Sequence, residues 1–384
     1  MTSTDELIQK ATDTDKNEVE CDSQEESFLF RVPLLESYHR LQHDADAVNQ
    51  PPPAIPEALL DAPPSMIERF QSEGFCVFPE VLSLKDVHAL NDRLEDVLRG
   101  QYDRKAAPDK IPKKIKTPKP PMKTSDAEEK KSENGDEDDT PTNAGSKKKK
   151  KSKGGWVGPI GFSGNYQNVK VLQIINIHKA DSLYRRLETN PQLAHLVAQL
   201  AQWPQGARLA QDQVWAKPPG APPLVFHRDS PYFMFDPNDV VTVWIALDDM
   251  LEELGPLEYV VGSHKWGDGR VGSASQFFQA SNVHNLLQSA ASCEGLAMDD
   301  LTIISMKGIK AGSLSIHHGK IWHGSNKNQS KTKPRRGLGL HFVPANVKFT
   351  REAQQSKLWK PYVEGVADPS KVELSQENFP ICKW

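Results

Sequence analysis

From residue 208 to 344 the chain runs through RLAQDQVWAKP (208–218), VVTVWIAL (240–247), LEYVVG (257–262), LTIISMKGI (301–309), SLSIHHG (313–319) and LGLHFVP (338–344). Each run is short and rich in β-branched or aromatic residues, with Gly, Pro and Asn between them. That spacing predicts an antiparallel sandwich or barrel. Between 264 and 300 a polar, partly helical excursion (SASQFFQASNVHNLLQSAASCEG, 273–295) is too long for a hairpin loop. A structured loop on a β scaffold commonly covers a site, and Trp266, Phe277 and Phe278 within it are candidates for an apolar substrate pocket.

Working outward, MIERFQSEG (66–74) predicts a short helix ended by Gly74, and FCVFPEVL (75–82) a strand. Ser83 can cap a helix in which Val87, Leu90, Leu94 and Val97 share one face. VKVLQIINI (169–177) reads as a strand. Residues 180–203 read as a helical pair whose apolar stripe is Leu183, Leu187, Leu193, Leu196, Val197 and Leu200. Residues 1–60 read as a loosely ordered arm, 61–103 as the N-terminal part of the domain, 156–350 as its β core and 351–384 as a C-terminal extension.

Residues 104–155 differ in composition. PKKIKTPKPPMK (112–123) leads through GDEDD (135–139) to KKKKKSKGG (147–155), with no Phe, Trp or Tyr. Such a stretch cannot bury enough apolar surface to offset chain entropy, and it is expected to be a disordered insertion within one domain. It holds 16 Lys and Arg against 9 Asp and Glu, leaving 31 against 42 in the rest of the chain. The formal charge of −4 therefore hides an acidic body, which argues against nucleic acid as its partner. The lysine run at 147–153 reads as a solvated segment, with a nuclear-import tag as the alternative; the default location is cytoplasmic. No run approaches the roughly 20 apolar residues of a membrane helix. The polar, acidic start carries no signal-peptide core, and the final ICKW is not an SKL-type peroxisomal address. Cys21, Cys76, Cys293 and Cys382 are scattered without CxxC pairing, as in a reduced protein without a cysteine zinc site.

The chemistry is carried by FHRDSPYF (226–233), IWHGSNKNQS (321–330) and KPRRGLGLHF (333–342). In a strand, residues i and i+2 face the same way, so His227 and Asp229 can reach one point. A second histidine, His323, from a distant strand would complete two imidazoles and a carboxylate on one face of a metal. Such a set leaves adjacent positions open and suits Fe(II). Alone, HxD arises by chance in many proteins. His317 and His318 are rival distal ligands, but neither is followed by GSNKNQS, and packing or hydrogen bonding to the ligands suits them better. His264 reads as the end of a strand, and Cys76 and Cys382 as unreactive.

The ordered motifs ERFQSEGFCVFPEVLS (68–83), FHRDSPYF, VTVWIALDDMLEELGPLEYVVGSHKWGDG (241–269), WHGSNKNQS and PRRGLGLHF resemble those of the phytanoyl-CoA dioxygenase family. The resemblance covers about 66–98 and 169–347. It implies a mainly β, α+β fold: a double-stranded β-helix, the cupin-like jelly roll, with flanking helices. It further implies an Fe(II)- and 2-oxoglutarate-dependent dioxygenase that takes O2, hydroxylates a small organic substrate and releases succinate and CO2. By the resemblance His227, Asp229 and His323 are the iron ligands. Arg335, chosen over Arg336 by its interval to His341, pairs with the far carboxylate of 2-oxoglutarate. A guanidinium fork suits that task. Ser325 helps hold the same carboxylate, and Trp244, Gln173 and Gln213 fall beside the cosubstrate. A carboxylate at 229, where related halogenases carry a small residue, implies oxygenation. Two other readings stay open: a jelly-roll binding or regulatory module that keeps the metal site without turnover, and a scaffold whose charged insertion meets nucleic acid.

Overall fold

A computed structural model describes residues 62–111, 171–267 and 283–382. The expected N-terminal arm, the body of the charged insertion, and Phe277 and Phe278 lie outside the described residues.

The described strands, in chain order, are β1 (Phe75–Phe78), β2 (Leu172–Ile175), β3 (Ala207–Lys217), β4 (Leu224–His227), β5 (Phe235–Asp236) and β6 (Val241–Ala246). They continue with β7 (Leu257–Val260), β8 (Ile303–Ser305), β9 (Leu314–His318), β10 (His323–Ser325), β11 (Arg335–Pro344) and β12 (Lys348–Phe349). Six form one sheet in the order β1-β9-β6-β11-β3-β2, and four form a second in the order β4-β10-β7-β8. Every pairing is antiparallel. Two facing sheets joined by strands that change sheet make the jelly roll that the resemblance implies.

The helices are α1 (Pro64–Glu73), α2 (Leu84–Arg99), α3 (Ser182–Glu188), α4 (Pro191–Leu200), α5 (Asn285–Cys293) and α6 (Lys360–Val363). The α2 cap is as expected: the Ser83 side chain accepts from the Asp86 amide at 3.1 Å. Val87, Leu90, Leu94 and Val97 are all buried, joining Leu183, Leu187, Leu193, Leu196, Val197 and Leu200 against the outer face of the large sheet. Alternation along β3 explains the two layers: Val214 and Ala216 face these helices, while Gln211, Gln213, Trp215 and Lys217 face the sandwich interior. Among the described residues no helix is long and apolar enough to cross a membrane.

Two expectations change. The first eight residues of the expected insertion, 104–111, belong to the fold. Asp109 bonds Lys179 at 2.9 Å and also meets Tyr362 and Asn176, while Lys110 forms a bridge with Ile175. A composition window averages over such local anchors. The segment read as a C-terminal extension also packs in, placing Trp359, Val363 and Phe379 in an aromatic cluster with Phe233, Phe235 and Phe349.

Candidate active site

Between the two sheets lies a cavity of about 760 Å3, lined at one end by His227, Asp229 and His323 and at the other by Lys217, Trp244 and Arg335. His227 and His323 are register partners across β4 and β10, with ring centroids 4.3 Å apart. Asp229 is not in the strand, as the i, i+2 argument supposed. Its φ of −80° and ψ of −45° start a 3-10 turn, Ser230–Tyr232. The Gly319 carbonyl pins that turn by accepting from the Asp229 and Ser230 amides at 2.8 and 2.9 Å. The turn, rather than strand alternation, swings the carboxylate back under His227. Its Oδ1 lies 3.8 Å from His227 Nε2 and 3.7 Å from His323 Nε2.

The outer atoms of all three groups are committed, which orients the inner ones. His227 Nδ1 donates to the Val225 carbonyl at 2.9 Å, and His323 Nδ1 donates to the Ile321 carbonyl at 3.1 Å. Each Nε2 is then a lone pair facing the cavity. Burial first, and then the neighbouring His323, pushes the His227 imidazole down to about 3. Burial likewise pushes His323 down to about 4, so both rings are neutral at ordinary pH. Asp229 goes the other way: burial would raise its carboxyl, but His323, the His317 hydrogen bond and His341 outweigh it and hold it well below the usual range. Two neutral imidazoles and an ionised carboxylate, their donor atoms within 4.8 Å of one another, fit a small divalent cation.

Sequence reasoning missed the two hydrogen-bond chains that meet at Asp229 Oδ2. In one, His341 Nδ1 donates to Thr242 Oγ1 at 2.9 Å and the Thr242 hydroxyl donates to Asp229 at 2.7 Å. In the other, Ser315 and Tyr259 hydroxyls lie 2.7 Å apart, the Tyr259 hydroxyl is 2.9 Å from His317 Nδ1, and His317 Nε2 donates to Asp229 at 3.3 Å. His317 thus supports the carboxylate, in line with its reading as a hydrogen-bonding rather than a ligating residue. The alternation of Thr242 and Trp244 on β6 was the available signal, once β6 is known to face inward.

At the far end, Arg335 is 3% exposed and lines the cavity, whereas Arg336 faces outward and grips Asp248 through Nε and Nη2. Burial lowers the Arg335 guanidinium to about 10, which leaves it cationic. Its Cζ lies 5.8 Å from the Trp244 ring. That indole occupies the space over Gly337, where a Cβ would come within 2.6 Å of its ring atoms. A side chain at 337 would therefore expel Trp244 from the cavity floor. Ser325 is buried beside Lys217, 3.1 Å from its Nζ. Gln173 and Gln213 line the same cavity and are linked at 2.7 Å, with Gln213 bonded on to Gln211. Asp109, Lys110, Lys357 and Tyr362 also line the cavity.

Other candidates sit elsewhere. His318 faces Asp239 at 3.8 Å, and His264 bonds the Gln71 carbonyl at 3.1 Å. Trp266 packs beside Phe226, Leu287 and Trp322 rather than on the cavity. Cys76 and Cys382 are buried, and burial pushes both thiols up to about 12, so neither is activated.

Comparison with known proteins agrees with this fold. Residues 70–337 match the family Phytanoyl-CoA dioxygenase (PhyH). A phytanoyl-CoA dioxygenase of Arabidopsis thaliana is 28% identical over 208 residues, covering 52% of this chain and 69% of its own. A probable alpha-ketoglutarate-dependent hypophosphite dioxygenase of Stutzerimonas stutzeri is 26% identical over 168 residues, covering 43% of this chain and 53% of its own. Among solved structures, the alpha-ketoglutarate-dependent carbocyclase SnoK superposes with a TM-score of 0.53 at 17% identity, over 84% of this chain and 96% of that one. The epimerase SnoN in complex with Fe3+, alpha ketoglutarate and nogalamycin RO gives 0.53 at 17% identity, over 83% and 98%. At that identity the likeness is one of fold. The family match spans most of the chain, which therefore belongs to the phytanoyl-CoA dioxygenase family and is a 2-oxoglutarate-dependent non-haem iron dioxygenase using Fe(II), 2-oxoglutarate and O2.

Proposed function

We propose that the chain hydroxylates a small organic substrate held in this cavity, with release of succinate and CO2. His227, Asp229 and His323 would hold the iron, and Arg335 with Ser325 the far carboxylate of 2-oxoglutarate. One observation carries the reading: three oriented metal donors and a buried guanidinium without an ion pair among the described residues line opposite ends of one cavity. The iron, when bound, supplies the redox chemistry that couples keto-acid decarboxylation to oxygen insertion. The protein's part is to fix and to shield. Val225 and Ile321 hold the two imidazoles in the tautomer that offers Nε2. Thr242 and His317 occupy one oxygen of Asp229 and reserve the other for the metal.

Trp244 would lie along the cosubstrate, with its ring against the Arg335 guanidinium. Gln173 and Gln213, which line the same cavity, would meet cosubstrate or substrate. Phe233, tilted against His341 with ring centroids 4.9 Å apart, would keep water from the metal end, and Leu224 and Leu257, the register partners of Ser325, from the other. The rim, with Lys110, Lys357 and Tyr362, is the face a substrate would cross. The reading is tested by incubating iron-loaded protein with carboxyl-labelled 2-oxoglutarate and a panel of small metabolites, with His227→Ala as the blank. Label released as CO2 in step with succinate and a hydroxylated product supports it. Folded, iron-loaded protein that never consumes 2-oxoglutarate would favour the binding-module alternative.

A further inference from the structure

Lys217 is a cationic cavity-lining residue of the cosubstrate end that neither the motifs nor the resemblance marks. It closes β3 directly across the ladder from Arg335. The pair is unusual in two respects. Like charges facing each other across a strand pair oppose folding. Both are also deeply buried, Lys217 being 2% and Arg335 3% exposed, and buried cations are normally matched by an anion.

The nearby carboxylates are committed elsewhere. Asp248 is taken by the Arg336 fork, and Glu258 accepts from Asn326 Nδ2 at 2.9 Å. Among the described residues neither Lys217 nor Arg335 forms an ion pair, and the Arg335 Nε has no hydrogen-bond partner. Lys217 Nζ donates to Ser325 Oγ at 3.1 Å and to the Asn326 carbonyl. Burial, and then the Arg335 charge across the ladder, push the Lys217 ammonium well below its usual range, a shift that a neighbouring anion opposes. Protonated, it carries three protons, so one donor remains for a third partner.

We propose that Lys217 is a second cation for the carboxylate that Arg335 receives, so that the far end of the keto acid is held between the two strands. The proposal rests on the Arg335 assignment above and adds a residue to it. Arg335 presents a planar fork and Lys217 a point charge that also holds the hydroxyl of Ser325, so the three groups surround one carboxylate. Lys217 is thereby a specificity determinant for dicarboxylic over monocarboxylic keto acids.

The test compares 2-oxoglutarate with 2-oxobutyrate, which has the same keto-acid end and no far carboxylate. Anaerobic, Fe(II)-loaded protein is titrated with each acid, and the visible charge-transfer band reports binding without turnover. Wild type stands beside Lys217→Gln, Lys217→Met and Arg335→Ala. Gln keeps a donor for the Asn326 carbonyl, so it separates loss of charge from loss of a structural bond. Loss of one charge-assisted contact should weaken 2-oxoglutarate by on the order of ten- to a hundredfold and leave 2-oxobutyrate nearly unchanged. That selective loss in both Lys217 variants and in Arg335→Ala supports the proposal. Selective loss in Arg335→Ala alone, with the Lys217 variants affecting both acids equally or neither, overturns it and leaves the Arg335 assignment standing. Selective loss in the Lys217 variants alone overturns the Arg335 assignment and the shared grip with it.

Discussion

Among the described residues, two buried clusters combine histidine with carboxylate, and they lie on opposite faces of the same strand layer. His227, Asp229 and His323 face the sandwich interior. His178, Glu188 and Asp212 lie between β3 and the helices, and both sets place their donor atoms within 4.8 Å of one another. Their residue types and burial hardly separate them; the direction of their hydrogen bonds does. In the first set the outer atoms are bound to backbone carbonyls, Thr242 and His317, which turns the inner atoms toward a cavity. In the second, Asp212 turns inward: it accepts from the Ile177 amide at 2.8 Å and from His178 Nδ1 at 2.5 Å. Burial, and then the charge and hydrogen bond of Asp212, raise the Glu188 carboxyl well above its usual range, which favours its protonated form. None of these three lines the cavity. The second cluster favours a proton on Glu188 where the first is suited to a metal. The lesson is that a ligand set is recognised by what holds its far side.

The comparison can be broken by substitution. The largest effect is expected for His227→Ala or Asp229→Ala, which should abolish stoichiometric iron binding and lower turnover by more than the roughly 10–100-fold typical of an outer partner. Iron content and 2-oxoglutarate consumption check it. Asp212→Ala should leave iron affinity intact and instead cost about 3–5 kcal/mol of stability, since it strands a buried partner. Denaturant unfolding with an iron titration on the same sample decides between the clusters. Thr242→Val removes one of the two chains holding Asp229 and should weaken iron binding by about 10–100-fold without unfolding the protein. An unchanged iron affinity in Thr242→Val would show that His317 suffices.

The smallest effect is a pH slope. Glu188 has a folded pKa above its unfolded value, so the native state binds more protons than the unfolded chain as pH rises past the usual glutamate range. Its contribution is present at acid pH and lost as pH rises through the folded value. Glu188→Gln mimics the protonated form and should flatten that decline, read as unfolding midpoints from pH 5 to 9. A slope identical to wild type would contradict a protonated Glu188.

Much of this was legible in the sequence. The β-rich runs from 208 gave the sandwich, and the apolar stripes of α2, α3 and α4 gave the helical layer, because burial imposes its periodicity on the residues themselves. His227, Asp229, His323 and Arg335 stood out because they sit in short motifs with ordered spacing, and the fold brings all four to one cavity. Lys217, Thr242 and His341 did not stand out. Whether a strand residue faces a site depends on which strand lies beside it, and that register joins residues as distant as 217 and 335. Asp229 was placed at the right point for an incomplete reason, since a turn pinned by Gly319 rather than strand alternation directs it.

The most direct test is the iron stoichiometry of the anaerobic protein with 2-oxoglutarate present, for wild type, Asp229→Ala and Asp212→Asn. The expected result is one iron per chain with a visible charge-transfer band, lost in Asp229→Ala and kept in Asp212→Asn. Iron retained with its band in Asp229→Ala, or lost only in Asp212→Asn, would contradict the assignment of the metal to the cavity cluster.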